Sequence, residues 1–508
     1  MASAIISAVT THRSAELTRR QVLAGASAGA AALLLNPREL QAQPANARAT
    51  VFRNTTVVNA DAVQNDVALA VVGTTIAAIG PTDQIVKSYP NADVIDGRGK
   101  AIFPGLINCH AHLTATLERG FNEDFGFPNS AQLKVRPASL LQGDEATLMT
   151  VVGALEAIRT GTTTFVENAG GIGRYAGALS KTGLRWVFAE SIRDSENVPG
   201  PLSPEGLAKA ETPRFSAKLR DEGMQRITDL FSTWHGKNDG RISVFPAAAL
   251  SETSSPELLK AVRAFADKYH LGYTIHLNQS IAEYQFMEKF HGLRPAAYLD
   301  RHGFLGPRLF AAHARYVNDA EIALLGKSRT IISHQANMAA NRGVIPPIPA
   351  LRDAGCPIAL GTDNNTNDVF EVMRIALLTE RIRRTDPFPG VRPQPEDILA
   401  DATEGGSRAV NQQQTLGSLE VGKQADLFVL NTRKPYLVPH GRLVSAVIHG
   451  GHPGDIESVM VDGEFVMRDN KVLTMDEDAV LREADAVGRR IWNQVGPVAV
   501  PRLPRPGL

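Results

Sequence analysis

The stretch AIFPGLINCHAH, residues 101–112, decides the fold because it ends an apolar, strand-like run with two imidazoles. Successive side chains of a strand point to opposite faces, so His110 and His112 point to the same side. Two ring nitrogens that converge on one point are able to hold a metal ion. The rest of the sequence must then supply the other ligands.

Seven further apolar runs follow this one, separated by segments with helical periodicity. They read GTTTFVENA, LRWVFAES, ISVFPAAAL, GYTIHLNQ, LFAAHA, TIISHQ and PIALGTDN. Eight buried-type strands that alternate with helices predict a (β/α)8 barrel, whose functional groups lie at the C-terminal ends of the strands. The later strands of this chain end near His276, His313, His334 and Asp363.

Both flanks of the barrel segment have a different texture. Residues 50–80, 416–432 and 456–473 alternate β-branched residues with turn formers, which is typical of short antiparallel strands. We therefore predict an α/β protein, a TIM-type (β/α)8 barrel with a small β-sandwich domain built from both ends of the chain. The predicted segments are a leader at 1–47, the sandwich at 48–103 and 416–475, the barrel at 104–415, and a C-terminal helix and tail at 476–508.

The N-terminal segment has the pattern of an export signal. Residues 18–24 read TRRQVLA and precede the short apolar run GASAGAAALLL, and residues 45–47 offer an A-x-A cleavage site. A twin arginine before such a run resembles a Tat signal peptide. The run is too short to span a bilayer, for which ~20 apolar residues are needed. We predict a partnership with the Tat export machinery, a periplasmic or secreted location and no stable membrane anchor.

Charge and cysteine content exclude other classes. The 53 lysines and arginines equal the 53 aspartates and glutamates, so no net field favours nucleic acid or anionic lipid. We expect no nucleic-acid partner. The two cysteines, Cys109 and Cys356, cannot form a disulfide framework, and we interpret Cys109 as a small buried residue rather than a nucleophile.

The residues at the strand ends indicate a metal site. Neutral imidazoles and a carboxylate are ligands that suit zinc or another first-row divalent ion. A single histidine would more often be a satisfied core group, but five at matching strand ends beside an aspartate favour one shared site. Without that placement we interpret the following as structural: His235, His270, His291, His302, His440, His449 and His452.

The motifs themselves resemble a known family. PGLINCHAH, HLNQ, AAHA, SHQANMAANRG, LGTDN and GSLEVGKQADLFVLN are similar to the amidohydrolase superfamily, in its branch of cytosine deaminase, S-adenosylhomocysteine deaminase and the triazine hydrolases. The resemblance runs from about Thr50 to Leu473. It implies a small-molecule substrate, and relatives commonly associate, so we expect a homo-oligomer.

The resemblance also implies roles for individual residues. His110, His112, His276 and Asp363 would ligate one divalent ion, zinc first, with iron(II), manganese or cobalt as alternatives. His313 would hydrogen-bond the attacking water and Asp363 would accept its proton, so both are candidate catalytic residues. Members with two metals usually add a carboxylated lysine on the fourth strand. That strand, ISVFPAAALSE, has no lysine here, which favours one metal.

One departure from the family limits the predicted reaction. Deaminases of this branch carry H-x-x-E on strand five, whereas this chain reads His276-Leu277-Asn278-Gln279. Gln279 can orient a substrate but cannot deliver a proton. Glu283 is expected on the surface of the following helix, and less readily as a substitute acid. We therefore predict hydrolysis of a non-peptide C–N bond in an amide, urea or carbamate.

Two alternatives remain open. One is a deaminase or dechlorinase of an N-heteroaromatic compound. The other is an inactive homologue that serves as a binding protein, against which the complete ligand set argues.

Further residues are candidates for substrate binding. Arg119, Asn168, His334 and Asn337 lie at or after strand ends and are predicted to contact substrate. The segment 114–140 after strand one is long enough for a lid over the site. Its aromatic residues Phe121, Phe125 and Phe127 would either contact an apolar substrate or anchor the segment.

Overall fold

The computed structural model describes residues 49–125, 133–364 and 366–499. The predicted leader, Phe127 and the end of the predicted tail lie outside these residues. Among the residues that are described, no helix is both long and apolar enough to cross a membrane.

In the described part of the chain, five strands precede the barrel. They are β1 (Thr50–Val58), β2 (Val63–Val72), β3 (Thr75–Pro81), β4 (Asp93–Asp96) and β5 (Lys100–Pro104). Strands β1, β2 and β3 form an antiparallel meander, whereas β4 and β5 both run parallel to β1. The β-branched residues of this segment therefore form strands, as predicted.

The barrel is built from the next eight strands. These are β6 (Leu106–Ala111), β7 (Thr162–Ala169), β8 (Arg185–Ile192), β9 (Ile242–Leu250), β10 (Tyr273–Leu277), β11 (Leu309–His313), β12 (Ile331–His334) and β13 (Ile358–Leu360). All neighbouring pairs are parallel. The backbone amides of Thr362 and Asp363 donate to the carbonyl of His110 at 3.0 and 2.9 Å, which brings the last strand against the first. The predicted barrel is confirmed.

Four more strands complete the first sheet. They are β14 (Leu427–Asn431), β15 (Ile456–Val461), β16 (Glu464–Arg468) and β17 (Lys471–Val472). Strand β14 pairs antiparallel with β5, so the described strands from both ends of the chain share one nine-stranded sheet. Its core includes Phe52, Leu69, Leu427 and Met460, all essentially buried. A barrel with a small sandwich-type domain from both chain ends is therefore correct.

The sheet contacts the amino end of the barrel, among other places, at Gly105 and at Arg185. Gly105 connects β5 to β6, and a Cβ there would lie 2.0 Å from the hydroxyl oxygen of Thr163, so only glycine fits. Arg185, the first residue of β8, donates to both carboxylate oxygens of Asp426 and to Asp462, each at 3.0 Å. Both aspartates belong to the sheet side, so this buried cluster ties barrel and sheet together.

Helices surround the barrel and begin at residues that satisfy their free amides. The side chains of Ser255, Ser280, Asn318 and Asp368 each accept a bond from an amide in the first helical turn. The helices are α1 (Thr82–Ser88), α2 (Glu145–Arg159), α3 (Ala176–Leu179), α4 (Pro204–Ala208), α5 (Ala217–Trp234), α6 (Pro256–Lys268), α7 (Ile281–His291), α8 (Pro295–Arg301), α9 (Asp319–Ser328), α10 (Ala336–Asn341), α11 (Ile348–Asp353), α12 (Val369–Arg383), α13 (Pro395–Ala400), α14 (Gly406–Ala409), α15 (Leu443–Gly450) and α16 (Glu477–Val495).

Candidate metal and substrate site

His110 and His112 lie side by side at the end of β6. Their ring centroids lie 4.8 Å apart and the rings are nearly perpendicular. His110 is fully buried within the strand, and His112 follows its last residue and lines the cavity. The alternation of side chains along β6 therefore places both rings where the sequence predicts them.

Residues from three other strands meet these histidines. The centroid of His276, on β10, lies 4.7 Å from that of His110, and His313 at the end of β11 lies 5.5 Å from it. Asp363 follows β13, with one carboxylate oxygen 3.5 Å from Nε2 of His112 and the other 3.7 Å from Nδ1 of His313. Five side chains from four strands thus lie close together, and only His110 and His112 among them are neighbours in the sequence.

Backbone carbonyls orient two of the rings. Nδ1 of His112 lies 2.5 Å from the carbonyl oxygen of Asn168, and Nδ1 of His276 lies 2.8 Å from that of Ala249. A carbonyl oxygen only accepts, so each Nδ1 carries the hydrogen and each Nε2 presents a lone pair. The two Nε2 atoms are 3.3 Å apart. Two lone pairs that face each other at this distance repel, and a cation between them would remove the repulsion.

The donor set fits a divalent metal ion. Neither ring nitrogen of His110 has a hydrogen-bond partner within the described part of the chain, although the side chain is buried. Burial and the neighbouring His112 lower the pKa of His276 to about 4, and burial lowers the pKa of His110 well below its ordinary value. The imidazoles of His276 and His110 are therefore neutral, the form that binds a metal. Ligand atoms of His110, His112 and Asp363 lie within 4.8 Å of one another, as do those of His110, His276 and His313.

The closure of the barrel holds Asp363 beside the histidines. The amide group of Asn108 bonds both the hydroxyl and the backbone amide of Thr362, at 2.8 and 3.2 Å. Asp363 has a left-handed φ of 63°, which is unfavourable for a residue with a side chain. A Cβ on Gly361 would lie 2.9 Å from the backbone nitrogen of His110, so glycine permits the close approach.

Neither Gln279 nor Glu283 places an acid in the cavity. Gln279 lines the cavity, and its Nε2 has no hydrogen-bond partner among the described residues. The expectation that Glu283 lies on the helix surface is wrong, because its side chain is fully buried. The carboxylate accepts from the backbone amides of Asn278 and Gln279, at 2.9 and 2.7 Å, and from the hydroxyl of Ser251 at 2.8 Å. Glu283 therefore supports the backbone that carries Gln279, and it is not among the residues that line the cavity.

A second buried carboxylate supports the other side of the site. Glu167, on β7, accepts from the backbone amide of Leu113 at 2.9 Å and from the hydroxyl of Tyr175 at 2.8 Å. Burial raises the pKa of Glu167 to about 7. Because Leu113 directly follows His112, this contact positions the end of β6.

The cavity itself has a volume of about 290 Å³ and contains groups that the sequence analysis did not single out. Arg193, Arg315 and Met338 line it together with His112, His276, His313 and Asp363. Arg193 directly follows β8 and Arg315 lies two residues beyond His313. Their position after barrel strands was the available signal, but arginines are frequent in such loops and nothing in the sequence shows that Arg315 is buried.

The predicted substrate contacts have mixed placements. The guanidinium of Arg119 bonds Glu156 of α2 at 2.5 Å and is 45% exposed. The amide of Asn337 bonds Glu371 and Asn341, at 3.2 and 2.8 Å. Neither residue lines the cavity of about 290 Å³.

Asn168 and His334 are buried beside the site. The side-chain atoms of Asn168 and both ring nitrogens of His334 have no hydrogen-bond partner in the described residues. Burial lowers the pKa of His334 to about 3, so the ring is neutral. The main-chain carbonyl of Asn168 has a defined contact, since it accepts from His112.

The segment after β6 is anchored by its aromatic residues. The ring of Phe121 stacks on that of Phe125 with centroids 4.4 Å apart, and lies 5.6 Å from Trp492 of α16. Phe121 is 4% exposed. These contacts support the anchoring interpretation for Phe121.

Comparisons with known proteins agree with this geometry. A family model described as the amidohydrolase family matches residues 101–466. The 5'-deoxyadenosine deaminase of Methanothermobacter thermautotrophicus is 33% identical over 407 residues, which cover 78% of this chain and 89% of that protein. The 5-methylthioadenosine/S-adenosylhomocysteine deaminase of Desulforudis audaxviator is 30% identical over 427 residues, covering 83% of this chain and 94% of that protein.

Solved structures share the fold. An adenosine deaminase from Xanthomonas campestris with bound zinc has a TM-score of 0.77 and 25% identity, and the match covers 87% of this chain and 98% of that one. An atrazine chlorohydrolase from Arthrobacter aurescens complexed with zinc has a TM-score of 0.75 and 21% identity, covering 86% of this chain and 100% of that one.

Proposed function

Because the chain belongs to the amidohydrolase family, we propose that it hydrolyses a non-peptide C–N bond of a small molecule, an amide, urea or carbamate, with one divalent metal ion. The buried, unpartnered nitrogens of His110 and the opposed Nε2 atoms of His112 and His276 support the metal. Zinc is the first candidate because the adenosine deaminase of similar fold binds it. The ligands are His110, His112, His276 and Asp363.

The residues around the metal divide the proton transfers between them. A divalent ion supplies Lewis acidity and lowers the pKa of water toward ~7. Asp363 accepts the proton of the attacking water and returns it to the leaving nitrogen. His313, whose Nδ1 lies 3.7 Å from Asp363, orients that water. Gln279 faces the cavity with a free amide nitrogen and donates to the substrate.

The choice of reaction rests on one observation, that neither Gln279 nor Glu283 is available as an acid. Deamination of an aminopurine or aminopyrimidine requires protonation of a ring nitrogen, and a positioned acid contributes ~10²–10⁴-fold to such a step. The amide of Gln279 can donate a hydrogen bond but is not an acid that transfers a proton. The carboxylate of Glu283 already accepts hydrogen bonds from three donors. Hydrolysis of an acyl C–N bond needs no acid at this position, since Asp363 returns the proton.

The names of the relatives favour a second candidate. Two proteins that are 33% and 30% identical to this chain are called deaminases of adenosine derivatives. Deamination, or displacement of chloride from an N-heteroaromatic ring, would use the same metal and the same Asp363.

A substrate panel separates the two reactions. The zinc-loaded protein is incubated with ureas, carbamates, anilides, aminopurines and chlorotriazines, and the release of amine, ammonia or chloride is measured. We expect amine release from the acyl compounds. In the Gln279→Glu variant, deamination of an aminopurine should rise by up to ~10²–10⁴-fold, because an acid then faces the cavity.

The exposed Gln84→Glu change is the matched control and should leave the product pattern unaltered. Ammonia release from aminopurines by the unmodified protein, at rates above those for every acyl compound, would make deamination the function instead.

Other parts of the proposal come from the sequence alone. We propose that the segment 1–47 directs Tat export to the periplasm or beyond, that domain boundaries lie at 103/104 and 415/416, and that the protein forms homo-oligomers. Arg119, Asn168 and His334 remain proposed substrate contacts. For Asn337, whose amide already bonds Glu371 and Asn341, a structural role is the alternative to the predicted substrate contact. Fractionation of cells that express the chain with Arg19 and Arg20 replaced by lysine tests the export signal.

A further inference from the structure

Arg315 is a buried cation without an ion-pair partner. It is 8% exposed, and its two hydrogen bonds are long, 3.5 Å to the carbonyl oxygen of Gln279 and 3.4 Å to Nδ1 of His313. Across the described residues, no carboxylate lies within ion-pair distance of its guanidinium. A guanidinium carries five N–H donors and cannot be neutralised, so most of its bonding capacity is unused.

Burial of such a group is costly unless something compensates its charge. The two acceptors of Arg315 are a carbonyl oxygen and a ring nitrogen, and neither carries a negative charge. A metal ion at the nearby histidines would add positive charge and would not offset that of Arg315. Within the described chain, Asp363 and Glu283 act on this charge only from beyond ion-pair distance, so a bound anion would compensate it more fully.

The location of Arg315 identifies where that anion binds. Arg315 and Gln279 line both the cavity of about 290 Å³ at the histidines and a second chamber of about 420 Å³. A ligand that extends from the first cavity into the second chamber would therefore contact this guanidinium. Arg193 also lines the first cavity and adds positive charge to it.

We propose that the substrate carries a carboxylate, which Arg315 binds at the junction of the two chambers. This inference rests on the proposed C–N hydrolysis and names its substrate class, an N-acylated or N-carbamoylated compound with a free carboxylate near the scissile bond. The planar guanidinium matches a carboxylate with two parallel N–H···O bonds. Arg315 is thus the residue that determines specificity for an acidic substrate.

Matched probes test the proposal on the full-length, zinc-loaded protein. Binding of hippurate (N-benzoylglycine) and of its uncharged amide, hippuramide, is measured by calorimetry, or as KM for a probe that is turned over. We expect hippurate to bind ~10–100-fold more tightly, the usual range for a hydrogen bond to a charged group. Arg315→Met should abolish this preference, and Arg315→Lys should retain part of it.

The matched control is Arg489→Met, an exposed arginine on α16 that pairs with Asp485, and it should keep the preference. Equal binding of the two probes, no measurable binding of hippurate, or an unchanged preference in Arg315→Met would overturn the proposal. The preference of the unmodified protein is measured without any variant, so a folding defect of Arg315→Met does not obscure it. Failure of C–N hydrolysis is seen separately, as the absence of amine release from every compound of the panel.

Discussion

The two ends of the barrel contain buried arginines in opposite situations. At the amino end, Arg185 donates three bonds of 3.0 Å to Asp426 and Asp462. At the carboxyl end, Arg315 makes two bonds of 3.4 and 3.5 Å to uncharged acceptors. Burial alone would lower the pKa of Arg185, but the two aspartates raise it above the ordinary value, whereas the pKa of Arg315 is lowered.

The difference teaches that pairing, and not burial, separates a structural polar group from a functional one. The unpartnered side-chain atoms at the carboxyl end include those of His110, Gln279 and His334. In barrels of this type the carboxyl end hosts the chemistry and the other end contributes to stability. Groups without protein partners at the carboxyl end are available to a metal or a substrate.

The largest effect should come from Asp363→Asn, which should reduce turnover at the carboxyl end of the barrel without lowering stability. An amide cannot accept the proton of the attacking water, so turnover should fall ~10²–10⁴-fold. The melting temperature should not fall. Steady-state rates and a thermal melt measure the two quantities.

Asp66→Asn is the matched control, since Asp66 is an exposed residue with a left-handed φ of 56° that asparagine tolerates. Retention of most of the activity in Asp363→Asn would remove this residue from the mechanism.

Arg185→Met should destabilise the amino end of the barrel. Two buried aspartates then lose their cation, and removal of one partner of a buried pair costs ~3–5 kcal/mol of unfolding free energy. In Arg315→Met the free energy of unfolding should stay level or rise, because an unpaired buried charge is replaced by an apolar group of similar length. Denaturation midpoints of both variants decide this, and equal losses would contradict the distinction between paired and unpaired arginines.

The smallest effect is expected at Asn337, which allows a paired and an unpaired residue to be compared at the carboxyl end of the barrel. Asn337 lies there but is paired with Glu371 and Asn341. If pairing identifies a structural group, Asn337→Ala should cost ~1 kcal/mol of stability and leave kcat/KM nearly unchanged. A large rise in KM without loss of stability would instead support the substrate contact that the sequence predicts. His334→Asn, a change at an unpaired position, provides the contrasting measurement.

The position of the metal ligands followed from local rules. Eight apolar runs with polar residues at their ends predicted a barrel, and the carboxyl ends of its strands necessarily meet at one rim. The period-two alternation of β6 put His110 and His112 on one side before any tertiary contact was known. Even Gln279 was distinguished by its place in the H-x-x-E pattern.

Tertiary structure decided what depends on contacts between distant residues. Glu283 lies in the first turn of α7, and sequence placed it on the helix surface. Ser251 and the amides of Asn278 and Gln279 draw it inward instead. The pairing of Arg185 and the lack of an ion pair at Arg315 also depend on distant contacts. The aspartates that bind Arg185 lie more than 200 residues away in the chain.

The sequence by itself therefore predicted the fold class and the common rim of the candidate ligands, since both follow from periodicity and strand polarity, whereas the choice of ligands among them came from the resemblance to the amidohydrolase superfamily. The tertiary structure alone decided which charged groups find partners. Compensation of a buried charge depends on distances between residues that no local pattern specifies.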